Sequence, residues 1–87
     1  MKHAGPSTLA NLQPLLQRLR EETPLAERTP GAFYFKSKAF LHFHEDTSGP
    51  YADVKLDAAT FSRVRVATAQ EQAHFMRLVA GCLAPRS

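Results

Sequence analysis

The sequence contains no tryptophan and one cysteine, and no apolar run in it approaches the length of a membrane span. A single thiol, Cys82, cannot form an internal disulfide, so the chain is not a small disulfide-held scaffold of the secreted type. A membrane helix needs ~20 consecutive apolar residues, and the N-terminal segment lacks the apolar stretch of a signal peptide. The composition therefore predicts a soluble cytoplasmic protein with no membrane segment.

The residue patterns of familiar enzymes are missing as well. There is no internal repeat, no pair of cysteines and no His-Glu-x-x-His pattern. Ser37, Thr47 and Ser48 are hydroxyl residues at predicted turns, and Cys82 falls beside the apolar stripe of a predicted helix, where an unreactive buried thiol is expected. No nucleophile is evident, and the sequence favours a binding module over an enzyme.

What the sequence does contain is the composition of an ordinary small globular protein. The 87 residues are 44% hydrophobic and 22% charged, which is too apolar for intrinsic disorder and too short for a second domain. We therefore expect one domain over residues 1–87. The formal net charge of +3 favours anionic partners, but only weakly.

Two segments have the three- and four-residue spacing of apolar residues that is typical of amphipathic helices. Asn11 can cap a helix over residues 12–22, with Pro14 in its first turn, where a missing N–H is tolerated. The segment Thr68-Ala-Gln-Glu71 has the form of a capping box. It predicts a second helix over residues 69–83.

Between and before these helices, prolines and glycines mark the connecting segments. Residues 1–7 are predicted to form a flexible arm and residues 24–31 a connector. Alternating, aromatic-rich segments predict four strands, at residues 33–35, 39–44, 51–56 and 61–66. The order α-β-β-β-β-α predicts an α+β domain, in which a four-stranded antiparallel sheet carries two helices on one face.

The alternation also predicts which residues of the second hairpin share the apolar face of the sheet. The register that matches both faces pairs Phe43 with Ala52, Leu41 with Val54, and Ala39 with Leu56.

The turn at residues 36–38 decides whether two more aromatic residues join this face. A three-residue loop places Phe33 opposite Leu41 and Phe35 opposite Ala39, whereas a two-residue loop turns both phenylalanines outward. We prefer the longer loop because burial of each phenylalanine stabilises by roughly 1.5–3 kcal/mol. The sequence itself leaves the turn type open.

The same register places a mixed aromatic and basic set on the outer face, defined here as the sheet face opposite the helices. The residues predicted there are Tyr34, Phe40, His42, His44, Tyr51, Asp53, Lys55, Phe61, Arg63 and Arg65.

Three of these residues could bind a metal ion. His42 and His44 stand ~6.5–7 Å apart along a strand, from which both imidazoles can reach one Zn²⁺, Ni²⁺ or Cu²⁺ ion. Asp53, opposite His42, could be a third ligand or could orient an imidazole, as it would in an acid–base pair. The alternative is that these are solvated side chains of an ordinary strand.

The whole outer face could instead bind a macromolecule. We expect a binding or interaction module that self-associates as a homodimer or takes another protein partner. Aromatic rings interleaved with Lys36, Lys55, Arg63 and Arg65 would alternatively suit single-stranded nucleic acid or another anion. No ordered RNA-recognition signature accompanies them.

Two resemblances rest on the central strands. The motifs Phe40-Leu-His-Phe-His-Glu-Asp46 and Ala52-Asp-Val-Lys-Leu56 resemble a motif pair of small uncharacterised bacterial proteins, which implies a compact cytoplasmic α+β domain. The segment Phe35-Lys-Ser-Lys-Ala-Phe40 is similar to a hairpin of YjbR-like proteins, whose double-wing fold implies DNA binding. The glycine usual in that turn is missing here, so the resemblance assigns no functional residue.

Overall fold

The structure, a computed structural model, describes residues 2–22, 24–57 and 60–83. Its elements are, in chain order, β1 (Lys2–His3), α1 (Pro6–Asn11), α2 (Gln13–Arg20), β2 (Leu25–Thr29), β3 (Ala32–Phe35), β4 (Lys38–Asp46), β5 (Gly49–Val54), β6 (Ser62–Arg65) and α3 (Ala69–Leu83).

The strands form one antiparallel sheet in the order β2-β3-β4-β5-β6. The short β1 pairs with the far end of β4, beyond the stretch that pairs with β3. The α+β class is confirmed, but the four-stranded sheet is wrong: β1 and β2 add two strands to it. A two-residue strand has no measurable alternation, and the β2 sequence Leu-Ala-Glu-Arg-Thr is too polar to stand out between two prolines.

The N-terminal helical region is two helices where the sequence predicts one over residues 12–22. Pro6 and Pro14 each occupy the first turn of a helix, the position where proline is tolerated, and Leu12 joins the two helices. The predicted arm, residues 1–7, overlaps β1 and the start of α1. Glu45 accepts hydrogen bonds from the Gly5 N–H and the Thr8 hydroxyl, so a carboxylate on β4 caps α1.

The predicted C-terminal helix is confirmed as α3, and so is its capping box. The Thr68 hydroxyl oxygen accepts a hydrogen bond from the Glu71 N–H at 3.1 Å, and Glu71 Oε1 accepts one from the Thr68 N–H at 3.0 Å. Within the described ranges, no helix combines the length and apolarity that a membrane crossing requires.

One hydrophobic core joins the helices to one face of the sheet. It contains Leu15, Leu16 and Leu19 of α2, Phe75, Met76, Val79 and Leu83 of α3, and Phe33, Leu41, Phe43, Ala52 and Val54 of the strands. The pairs Leu41–Val54 and Phe43–Ala52 have the predicted register. The helices pack on this face of the sheet through the shared core, and the outer face is the opposite side.

The turn between β3 and β4 has two residues and not the preferred three. Lys36 and Ser37 adopt φ values of +51° and +69°, the left-handed pair that a tight type I′-like hairpin turn needs. Phe35 therefore pairs with Lys38, and Tyr34 pairs with Ala39. The predicted pairing of Phe35 with Ala39 is wrong, and so is that of Ala39 with Leu56, because β5 ends at Val54.

A β-bulge then restores the register. Phe33 pairs with Leu41, as predicted, but the next residue of β3, Tyr34, pairs with Ala39 and not with Phe40. Phe40 is therefore the extra, unpaired residue of the bulge. The Phe40 side chain is 1% exposed and packs 6.2 Å from the Phe35 ring, between ring centres. Its predicted place on the outer face is wrong, because the bulge turns two consecutive side chains of β4 towards the core.

Candidate metal site

The outer face is built from alternate residues of the three central strands. His42 and His44 of β4 lie opposite Asp53 and Tyr51 of β5, as predicted. On β6, Arg63 pairs with Asp53, and Arg65 pairs with Tyr51. Strand alternation and the inward packing of Leu41 and Phe43 hold both histidines on this face.

The two histidines of β4 face each other. His44 Nε2 lies 2.8 Å from His42 Nδ1, and the ring centroids are 4.7 Å apart. At this distance the two nitrogens share a single proton, because two lone pairs directed at each other would repel. The pair thus holds one hydrogen between two ring nitrogens.

Asp53 supplies negative charge beside this pair. Its Oδ2 atom lies 3.2 Å from His44 Nε2, and both carboxylate oxygens accept hydrogen bonds from Arg63, at 2.8 and 3.0 Å. These bonds hold the pKa of Asp53 below its ordinary value, against the opposing effect of burial. Asp53 is therefore an ionised carboxylate in a fixed orientation, although it is 7% exposed.

The third histidine of the site comes from the N-terminal strand. β1 pairs with β4 so that His3 lies directly across from His44, and their rings stack with centroids 4.8 Å apart. One ring nitrogen from each of His3, His42 and His44 falls within 4.8 Å of the other two. Sequence reasoning placed His3 in a flexible arm, and no local pattern around it signals a strand partner.

The rings of His42 and His44 differ in how well they suit metal binding. Burial, followed by the proximity of His44, lowers the pKa of His42, so this ring is neutral near pH 7 and can offer a nitrogen lone pair to an ion. The Nδ1 atom of His44 is buried and, among the residues that the structure describes, has no hydrogen-bond partner. An ion bound to Nε2 of His44 would not contact Nδ1 of the same ring, so this atom gives no support to a metal site.

The remaining predicted residues of the outer face surround the cluster without joining it. Phe61 is 42% exposed, its ring centre lies 5.3 Å from that of His42, and the Lys55 ammonium lies over it. Arg65 donates hydrogen bonds to Glu71 and to the Ser48 carbonyl.

Two tyrosines complete this surrounding set. The Tyr51 hydroxyl lies 2.8 Å from that of Ser48, and the Arg28 guanidinium lies over the Tyr34 ring. Neither tyrosine therefore enters the histidine cluster.

The lone cysteine lies away from this site. The Cys82 thiol lies against the Lys55 and Leu56 carbonyls, at 3.7 and 3.4 Å, and is half-buried. Comparisons with protein-family models, with curated proteins and with solved structures find no match for this chain. The chemistry of the residues themselves therefore has to carry any functional argument.

Proposed function

We propose that the protein is a small metal-binding module that holds one first-row transition-metal ion on His3, His42 and His44. The observation that carries the proposal is the convergence of three imidazoles, from two paired strands, within 4.8 Å. Imidazole nitrogen suits Zn²⁺, Cu²⁺ and Ni²⁺, whereas Ca²⁺ and Mg²⁺ prefer oxygen ligands.

The distances require only small side-chain adjustments. With Zn–N bonds of about 2.0–2.1 Å, two tetrahedral ligands stand about 3.3 Å apart. The nitrogens of His42 and His44, now 2.8 Å apart, would open slightly around an ion that takes the position of the shared proton, and each neutral ring would carry its one proton on its other nitrogen. His3 is exposed, so its ring is free to close the longer distance.

Asp53 belongs beside the ion and not on it. Both of its oxygens accept hydrogen bonds from Arg63, and its Oδ2 atom lies 3.2 Å from His44 Nε2, the nitrogen that would bind the ion. The sequence pattern suggested a ligand set of His42, His44 and Asp53. We propose His3 in place of Asp53, with Asp53 lying beside the ion and its charge balanced by Arg63.

Calorimetric titration of the metal-free protein with Zn²⁺, and with Co²⁺ as a coloured substitute, tests this function. We expect one ion per chain and at least a tenfold loss of affinity in each of His3→Ala, His42→Ala and His44→Ala. His74→Ala is the matched control, since His74 is exposed on α3 and outside the cluster. At a free metal concentration of 100 times Kd, binding should stabilise the fold by about 2.7 kcal/mol.

Two results would contradict the proposal. One is the absence of stoichiometric binding in the intact protein. The other is an equal loss of affinity in His74→Ala, which would mean that scattered surface histidines bind the ion.

A partner surface is a second candidate, favoured by the exposed aromatic ring of Phe61. The bonds of Arg63 and Arg65 to Asp53 and Glu71 leave less free positive charge for nucleic acid, so a second copy of the chain is the simpler partner. Sedimentation at several concentrations tests it: we expect self-association that Phe61→Ser weakens, and a monomer at all concentrations would exclude it.

A further inference from the structure

A cavity of about 360 Å³ opens beside the histidine cluster. It lies where β1 and β3, both paired with β4, leave a gap between their ends: β3 reaches Leu41, and β1 begins at His44. His3 and His42 form part of its wall. The cavity therefore adjoins two of the three proposed ligands.

The rest of the wall is largely apolar. Ala32, Phe33, Ala39 and Leu41 contribute to it, with the Tyr34 ring and Thr29 as polar exceptions. The described residues that line it include no carboxylate, lysine or arginine. A volume of this size is at the small end of the range for ligand pockets, and such pockets typically combine apolar walls with a few polar anchors.

The charge of the metal site indicates which ligand a bound ion would attract into the cavity. Three neutral imidazoles leave a divalent ion with its full +2 charge, and the charge of Asp53 is already balanced by its paired bonds to Arg63. A four-coordinate ion with three protein ligands also keeps one position open. An external anion would fill that position and reduce the excess charge.

We infer that the open position of the metal faces this cavity and binds a small organic monoanion, a carboxylate with a compact apolar body. The inference rests on the proposed metal site. The carboxylate oxygen coordinates the ion between His3 and His42, and the hydrocarbon part lies against Ala32, Ala39 and Leu41.

Visible spectroscopy of the Co²⁺-loaded protein tests the inference, using acetate, butyrate and 1-butanol as probes. We expect a saturable, one-to-one change of the cobalt bands with both carboxylates and none with 1-butanol. Two additional buried methylenes should make butyrate bind roughly tenfold more tightly than acetate. A cobalt spectrum that does not change on addition of carboxylates would overturn the carboxylate site but not the metal site. Failure to bind Co²⁺ would overturn both the carboxylate site and the metal site.

Two alanines provide a matched pair of variants. Ala39 and Ala26 are both exposed and lie opposite Tyr34 on its two neighbouring strands, but only Ala39 lines the cavity. Ala39→Leu should weaken butyrate binding at least tenfold with Co²⁺ affinity unchanged, and Ala26→Leu should alter neither.

Equal butyrate affinity in the two variants would place the anion elsewhere and refute the assignment to this cavity. If Ala39→Leu fails to fold or to bind Co²⁺, Ala32→Leu, also on the cavity wall, decides the question in the same way.

Discussion

Replacing Phe40 by alanine should destabilise the protein strongly. The side chain is 1% exposed and packs against Phe35 in the core cluster. Truncation of a buried phenylalanine costs about 3–5 kcal/mol, from lost transfer free energy and from the cavity left behind. A chain of this length is expected to have a total stability of only about 4–13 kcal/mol, so the variant should lie near the limit of folding.

Urea unfolding followed by circular dichroism measures this cost. Phe61→Ala is the matched control, because it removes the same atoms from a ring that is 42% exposed, and its cost should stay within about 0.5–1 kcal/mol. If Phe40→Ala does not fold, Phe40→Leu gives a measurable intermediate, with a loss of about 1–1.5 kcal/mol.

The comparison separates two structures of the β3–β4 hairpin. With the bulge, Phe40 faces the core, and the two truncations differ by several kcal/mol. In a regular hairpin Phe40 would lie on the outer face, and Phe40→Ala would cost no more than Phe61→Ala. Equal costs would therefore refute the bulge and the inward orientation of Phe40.

Three further changes test other parts of the structure. Asp53→Asn should weaken Zn²⁺ binding about 10- to 100-fold in calorimetry, because it leaves the positive charge of Arg63 unbalanced beside the ion, and unchanged affinity would contradict that role. Hydrogen bonds from Arg20 hold the pKa of Glu27 below its ordinary value of 4.5, so its contribution to stability is present above that pH and is lost as the pH falls through the lowered pKa. Glu27→Gln should accordingly flatten the fall in unfolding free energy between pH 5 and pH 2, and an unaltered slope would exclude the effect. Gly31→Ala should cost roughly 1–3 kcal/mol in urea unfolding, since φ is +78° and the new Cβ would lie 2.8 Å from Leu9 Cδ2, and a neutral result would contradict that conformation.

The parts of the fold that could be predicted are those with a local signal. The capping box specifies where α3 begins, because both of its hydrogen bonds join residues three apart. The β4–β5 register follows from alternation, since a slip of one residue would expose Leu41 and Phe43. Each of these features is determined by neighbours in sequence or by one adjacent hairpin.

The bulge at Phe40 could not be predicted, because it depends on two events that compensate each other. A two-residue turn, made by Lys36 and Ser37 without the usual glycine or asparagine, shifts the pairing of Phe35. The bulge then returns Phe33 to its predicted partner Leu41. An alternation rule applied across the hairpin recovers that pair and still assigns Phe40 to the wrong face.

The candidate metal site likewise contains residues that the sequence predicts and one that it does not. His42, His44 and Asp53 share the outer face, as strand alternation predicts. His3 joins them only through the pairing of a two-residue strand with the far end of β4, and no periodic pattern can reveal such a strand. The sequence thus identified the centre of the cluster and missed the residue that turns a pair of histidines into three.

The long-range origin of His3 has a kinetic consequence. In an unfolded chain His42 and His44 are close neighbours, whereas His3 must wait until the intervening chain has closed into the sheet, at an entropic cost. A bound ion would therefore gain its third ligand late in folding. Added metal should mainly slow unfolding and change the folding rate little, because the ion would stabilise the native state more than the transition state for folding.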